Sequence, residues 1–292
     1  MNREEENLGR PPFAIVESLG PSQVAAEIVA CFERIVARPD RLHYSHGLVM
    51  RSIGFAADQP LHRAGAAIAR DIDGGIGAGV PGGYHNARHF LEVMLCALYL
   101  ALTVRLQRDR IARVVTAALV HDFHHDGKRS AASPFRLEAQ SAAMADPYLR
   151  NAGVKPELRE QVRALVLSTE VATGVPFARA CLGRGAAAAS EPIRAGVPAP
   201  LELLRTEPEL AFEAVLLAEA DVLPSMGLTV EHAQYVQDHL AAEWGITLGA
   251  ADKLKFIEKV RADITLAGFF APNIEALSRE YRQRALQESR AA

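Results

Sequence analysis

Apolar side chains in this chain recur at three- and four-residue steps and almost nowhere at two-residue steps. In SQVAAEIVACFERIVAR (22–38), Val24, Ile28, Phe32 and Ile35 share one helical face, with Ser22 as the expected N-cap. Residues 60–72 read as a second helix. Others are expected from about Asn86 to Arg105 and from about Arg108 to His121, the latter turning Ile111, Val114, Val115, Ala118 and Leu119 inward. Ser133-Pro134 reads as the N-cap and first-turn proline of a helix to about Met144. KPELREQVRALVLSTEVA (155–172) is amphipathic, and helices are expected again at about 209–223, 229–243, 251–269 and 273–289.

Two stretches interrupt this pattern. DGGIGAGVPGG (73–83) is too rich in glycine for anything but a loop. Residues 183–208, beginning GRGAAAASEPIRAGVPAP, are punctuated by Gly and Pro and read as a long loop, of the kind that forms a lid or is disordered. No segment alternates convincingly as a strand, and no internal repeat is visible. The expected architecture is an all-α helical bundle: a flexible tail over residues 1–20, then a single domain over residues 21–292.

Composition agrees with helix. Apolar residues make up 49%, with Ala the dominant type. A chain of 292 residues allows one large domain or two small ones. Aromatics are only 6% and the net charge is −3, with basic residues scattered, which argues against a nucleic-acid partner. The opening MNREEENLGRPP lacks the basic and apolar regions of a signal peptide, so a cytoplasmic protein is expected. The longest apolar run, FLEVMLCALYLALTV (90–104), carries Glu92 and is too short for a membrane span. Cys31, Cys96 and Cys181 form no CxxC pair and read as buried or free thiols.

The candidate chemistry is concentrated in two strings. YHNARH (84–89) and HDFHHDG (121–127) hold five of the ten histidines. Four residues apart, His85 and His89 would share a face if both were helical. Such a pair alone is more often core than site. His121 and Asp122 sit where an apolar helix ends, followed by His124, His125 and Asp126. Mixed imidazole and carboxylate donors suit Zn, Fe, Mn or Mg rather than a soft metal. The plain alternative is a polar helix end where His meets the dipole. Asp221, in AVLLAEADVLPSMG (214–227), needs a partner if buried; it could equally be an ordinary polar residue, and Glu219 could do the same job.

These strings carry a family resemblance. YHNARHFLEV resembles the YHNxxHxxDV string of class I cyclic-nucleotide phosphodiesterases, and HDFHHDG resembles their HDxDHxG string. Both belong to the wider HD superfamily of metal-dependent phosphohydrolases. RLEAQS (136–141), STEVA (168–172), AEADVL (218–223) and DKLKFIEKV (252–260) resemble further family strings in the same order, so the likeness covers about residues 80–270.

The resemblance implies an HD-type, phosphodiesterase-like bundle and two divalent metal ions: Zn, Fe or Mn in the first site, Mg or Mn in the second. His89, His121, Asp122 and Asp221 would hold the first, with Asp122 bridging to the second. His125 would hydrogen-bond the second ion's water, and Glu170 would stand near those waters. His85 would be the general acid, oriented by Glu138. Tyr84, Lys253 and Phe256 would line the substrate pocket. The implied reaction is phosphoester hydrolysis by metal-activated hydroxide, and the implied partner is a small phosphate ester.

Two departures bear on this. His124 stands where the family has an acid. Lys253 stands where the family has a purine-binding Gln, three residues before Phe256. An ammonium only donates, whereas an amide donates and accepts. A substrate other than ordinary cAMP or cGMP, or one bound differently, is therefore expected. Arg88, Lys128 and Arg129 flank the strings and read first as surface charge, second as phosphate-steering groups. A di-iron oxygenase and a non-catalytic binding module are the alternative readings. The oligomeric state, a homodimer included, is left open.

Overall fold

The computed structural model describes residues 19–79, 83–127, 133–184, 197–261 and 264–291. Among these residues the fold is all α-helical, with no strand. The helices are α1 (Pro21–Val36), α2 (Arg41–Ser52), α3 (Pro60–Asp73), α4 (Ala87–Thr103), α5 (Arg108–Val120), α6 (Arg136–Asn151) and α7 (Pro156–Leu167). They continue with α8 (Gly174–Arg184), α9 (Leu203–Thr206), α10 (Pro208–Met226), α11 (Val230–Trp244), α12 (Ala250–Arg261) and α13 (Ala271–Ala291).

Two helices make the centre. α4 is buried without a break from His89 to Ala101. α10 is buried on nearly every side between Leu210 and Ala220. A helix apolar all round must be enclosed by others, and these two pack on each other inside the ring formed by α1, α2, α5, α7 and α8. A buried carboxylate in that core is satisfied: Glu213 accepts from Arg110 and Arg113, each at 2.6 Å. A smaller apolar cluster of Met226, Ala233, Ala250, Ile257, Ile274, Leu277 and Tyr281 holds α11, α12 and α13 to the end of α10.

Several element ends differ from the sequence expectation. α1 starts two residues early, because Pro21 takes the first helical position; Gly20 is the N-cap, and Ser22 instead donates to Asn273 Oδ1 at 3.0 Å. α6 starts at Arg136, with Phe135 as its N-cap in the left-handed region (φ 63) rather than Ser133. It also runs past Met144 and through Pro147 to Asn151, since Ala145 and Leu149 keep one face packed. α7 stops at Leu167, where Ser168 and Thr169 hydroxyls fold back onto Leu165 O and Val166 O. The helix expected over 251–269 is two pieces: α12, and a 3₁₀ turn Leu266–Phe270. Glu219 accepts from Thr265 N, Thr265 Oγ1 and Ala267 N, so this buried carboxylate fixes the start of that turn and is not an alternative to Asp221. α2 and α8 carry no expectation from the periodicity.

The tail expected over 1–20 lies outside the described residues except for its last two. Within the loop expected over 183–208, residues 185–196 lie outside them too. The described part is partly helical, as a 3₁₀ turn (Ala199–Glu202) runs into α9. All three cysteines are buried and free of disulfides. No described helix is long and apolar enough to cross a membrane.

Candidate active site

The two histidine strings meet because α4 begins where α5 ends. Asn86 is the N-cap of α4: its Oδ1 accepts from Arg88 N at 2.8 Å and His89 N at 3.4 Å, while its Nδ2 donates to Gly83 O. His85 therefore lies in the turn before the helix. It and His89 do not share a helical face as the spacing suggested; the turn brings their rings to 5.5 Å. At the other string, α5 ends at Val120 and the chain turns tightly, His125 N bonding Asp122 O at 2.8 Å. His124 sits at φ 64 and donates its backbone N–H to Gly77 O, with its ring edge-on to Phe123. It belongs to neither donor group described below.

The glycine loop packs against both strings. A Cβ at Gly79, itself at φ +72, would fall 1.8 Å from His85 O. Only glycine allows that approach.

Four donor atoms converge where α4, α5 and α10 meet. His89 Nε2 lies 3.1 Å from His121 Nε2, 3.1 Å from Asp122 Oδ2 and 3.4 Å from Asp221 Oδ1. His121 Nε2 lies 3.0 Å from Asp122 Oδ2 and 3.6 Å from Asp221 Oδ1. Nδ1–H of His121 donates to Ala118 O at 2.8 Å, so in the neutral ring it is Nε2 that carries the lone pair. His89 Nδ1 is buried with no partner.

Two imidazole nitrogens and two carboxylates this close repel unless a proton or a cation sits among them. Ligands about 2.1 Å from a tetrahedral ion stand roughly 3.4 Å apart, close to the distances here. The donor set therefore fits a divalent ion. Without one, protons do the work. Burial lowers the His121 pKa, but Asp122 and Asp221 outweigh it and hold it well above the usual value. Burial likewise raises Asp122, yet His121 and His85 pull it well below the ordinary carboxylate range. Asp221 comes from inside α10, which continues through Pro224 rather than ending beside it.

His85, Asp122 and His125 form a second group of donors within 4.8 Å of one another. His125 stacks on His85 with ring centroids 3.8 Å apart. Burial, chiefly, brings its pKa down to about 4, so it is neutral near pH 7. Its Nδ1 accepts from Gly127 N at 3.0 Å, so the proton sits on Nε2 and the ring is a hydrogen-bond donor there.

His85 is held by a residue that the sequence did not single out. Its Nδ1 donates to Glu243 Oε1 at 2.5 Å, and its backbone N–H donates to Glu243 Oε2 at 2.9 Å. Burial works against the imidazolium, but Asp122 and the Glu243 hydrogen bond raise the His85 pKa above its ordinary value. Nε2 is left facing Asp122 Oδ2 at 3.7 Å. Glu243 closes α11, and a Cβ on Gly83 would stand 2.4 Å from its Oε2. Its only sequence signal is an acid in the last turn of an expected helix, which is commonplace.

Glu138, expected to orient His85, does not bond it. Its Oε2 is buried and unpartnered, and burial, with the charges of Asp122 and Glu170, pushes its pKa up to about 7. Glu170 is also differently engaged. Its oxygens accept from Ala172 N, Thr173 N and Gly174 N, capping the start of α8. Three of their roughly four acceptor positions are thus taken by backbone N–H groups.

The three expected pocket residues separate. Tyr84 packs its ring 4.3 Å from that of His89, and burial with the nearby Asp221, Glu92 and Asp122 keeps it a neutral phenol. Lys253 is buried on α12, its Nζ 5.4 Å from the Phe256 ring centroid. Among the described residues no hydrogen bond or ion pair joins Lys253 or Phe256 to the His–Asp centre. Burial alone brings Lys253 down to about 7. Arg88 bonds Glu92 and Glu33 and is not a free phosphate-steering group; Lys128 and Arg129 lie outside the described residues.

No family model matches the chain, and no curated protein sequence matches it. Solved structures do. The phosphodiesterase domain of the RhoPDE fusion protein from the choanoflagellate Salpingoeca rosetta is 16% identical, with a TM-score of 0.60 over 99% of this chain and 100% of that one. A second structure of the phosphodiesterase domain of Salpingoeca rosetta rhodopsin phosphodiesterase is 15% identical over 94% and 97%, with a TM-score of 0.60. LmjPDEB1 in complex with IBMX is 14% identical over 97% and 98%, with a TM-score of 0.59. The all-α fold expected from the periodicity, and phosphodiesterase-like by the resemblance of the strings, is thus the fold of phosphodiesterase domains, across nearly the whole chain.

Proposed function

We propose that the protein is a metal-dependent phosphohydrolase acting on small phosphate esters, as a phosphodiesterase, with His85 as the general acid. The observation that carries this is the placement of His85: anchored through Nδ1 by Glu243, it turns Nε2 toward the four-donor centre. Held at His89, His121, Asp122 and Asp221, and on the Asp122 side for a second ion, divalent cations would neutralise phosphoryl charge and acidify water.

The chain's own groups do the rest. An ester's alkoxide leaves poorly unless it receives a proton. A protonated His85 carries one on Nε2, and the Glu243 carboxylate at Nδ1 favours that protonated form. Neutral His125 offers an N–H to a water or phosphoryl oxygen beside it. Tyr84 covers His89 as an apolar wall. The fold shared with phosphodiesterase domains supports the same reading.

In its charged form Lys253 would offer a purine edge donors only, whereas an amide side chain would both donate and accept. Ordinary cAMP and cGMP are accordingly poor substrates in this reading, and a more anionic or smaller ester fits better. The test is metal analysis together with a panel of bis(4-nitrophenyl) phosphate, 4-nitrophenyl phosphate, alkyl phosphodiesters, cAMP and cGMP, each with Mn, Mg or Zn. Turnover of diesters that a chelator abolishes is the expected result. A metal-replete protein inert to the whole panel overturns the function. Efficient cAMP or cGMP hydrolysis overturns the substrate assignment alone.

A further inference from the structure

Glu243 reaches His85 from one end of α11, and the other half of that helix is clasped to α4. His232 is buried on α11, its Nε2 3.2 Å from Glu92 Oε2 on α4, though out of line for a hydrogen bond. Glu92 Oε1 accepts from Arg88 Nε at 2.6 Å. The Arg88 guanidinium lies 3.9 Å over the ring of Tyr235, also on α11. Its Nη2 bonds Glu33 on α1 at 2.7 Å.

The spacing makes this a built device. Arg88 and Glu92 are four apart on α4, and His232 and Tyr235 are three apart on α11, so each pair shares a face. Glu92 is 1% exposed. Burial disfavours its charge, yet its contacts with His232 and Arg88 outweigh that and keep it ionised. The connections close a ring: Glu92 to His232, along α11 to Glu243, across to His85, and through the Asn86 cap back into α4.

We infer that Glu92, Arg88, His232 and Tyr235 are positioning residues, a clasp that sets α11 so that Glu243 holds the His85 imidazole in line with the metal-binding residues. The inference rests on the reading of His85 as proton donor. Arg88 and Glu92 flank His89, but they serve the acid side of the site.

The test uses two clasp variants, His232→Asn and the milder Tyr235→Leu, with Glu213→Gln as a control in a buried ion pair elsewhere. In the metal-free protein, proton NMR reads the downfield Nδ1–H resonance of His85, assigned by its loss in His85→Asn. The clasp variants should broaden or shift it; Glu213→Gln should not, even if stability falls. With the metal-loaded protein, each clasp variant should slow an alkyl diester about tenfold to a hundredfold, the scale of a small misplacement. Hydrolysis of bis(4-nitrophenyl) phosphate should change little. In a Glu243→Gln background, His232→Asn should have no further effect on the ratio of the two rates. An unchanged resonance and an unchanged ratio in both clasp variants overturn the inference. If Glu243→Gln itself leaves the ratio unchanged, the proton-donor reading fails instead, and the resonance still decides whether the clasp positions His85.

Discussion

His85 donates its Nδ1–H to Glu243 Oε1 at 2.5 Å, across 158 positions of sequence. The contact joins the turn before α4 to the last turn of α11. It also separates the paired histidines: His89 turns Nε2 to His121, Asp122 and Asp221, whereas His85 is held at Nδ1 by Glu243 and turns Nε2 to Asp122.

Glu243→Gln should therefore lower the rate most where the leaving group is poor. An amide still accepts a hydrogen bond but carries no charge to sustain the imidazolium. The loss should approach the roughly 10²-fold lower range of general acid catalysis with an alkyl diester, and be small with a nitrophenolate leaving group. Metal content should be unchanged by elemental analysis. Glu138→Gln should not reproduce this leaving-group pattern, since Glu138 makes no bond to His85. If Glu138→Gln showed it and Glu243→Gln did not, the assignment of the two carboxylates would be reversed.

What the sequence made legible follows from what is local. The two histidine strings are each fixed by a helix end, so the sequence placed His89 near the start of one expected helix and His121 at the end of the next, and the family resemblance brought them to one site. The helical periodicity of α4 and α10 reported the core in the same way. Glu243 and Glu138 were not separable on that basis. Both are acids on amphipathic helices, and only the packing of α11 against the start of α4 decides which one reaches His85. The ends of α6 and α12 were misplaced for a related reason: Pro147 is tolerated in a packed helix, while α12 stops without a local breaker ahead of the turn that Glu219 caps.

Removing a donor from the four-atom centre should cost metal and activity together. Asp122→Ala and Asp221→Asn each delete a carboxylate within 3.6 Å of a histidine Nε2. The charge that offsets the cation goes with it. Dialysed variants should hold substantially less metal than the wild type, with diester hydrolysis lost in parallel. A variant that retained full metal content but lost activity would mean that the carboxylate acts on substrate rather than on the ion.

Glu170 should behave as a cap. Its three backbone hydrogen bonds satisfy the free N–H groups at the start of α8. Glu170→Ala should lower stability by about 1–2 kcal/mol in denaturant unfolding, the usual scale for a lost N-cap. Metal content per folded protein should stay as in the wild type. A selective loss of the second equivalent of metal, with stability intact, would instead place Glu170 at the ion.

Lys253 gives the chain a stability that depends on pH. It is buried, its pKa is brought to about 7 by desolvation, and its nearest compensation is the Phe256 ring at 5.4 Å. A cation over a ring at that distance recovers only about 0.5–1 kcal/mol. In the unfolded chain the ammonium titrates near its ordinary value of 10.5. Between pH 7 and 10.5 the unfolded state therefore binds the extra proton, and stability rises with pH across that window. The contribution is fully present above 10.5 and is lost as pH falls through about 7. Lys253→Met keeps the packing volume and removes the titration. It should stabilise the protein by a few kcal/mol at pH 7 and by little near pH 10, with the difference read from urea midpoints at the two pH values. Equal shifts at both pH values would mean that Lys253 reaches water or a partner anion in the folded protein, and that its charge is kept for a ligand.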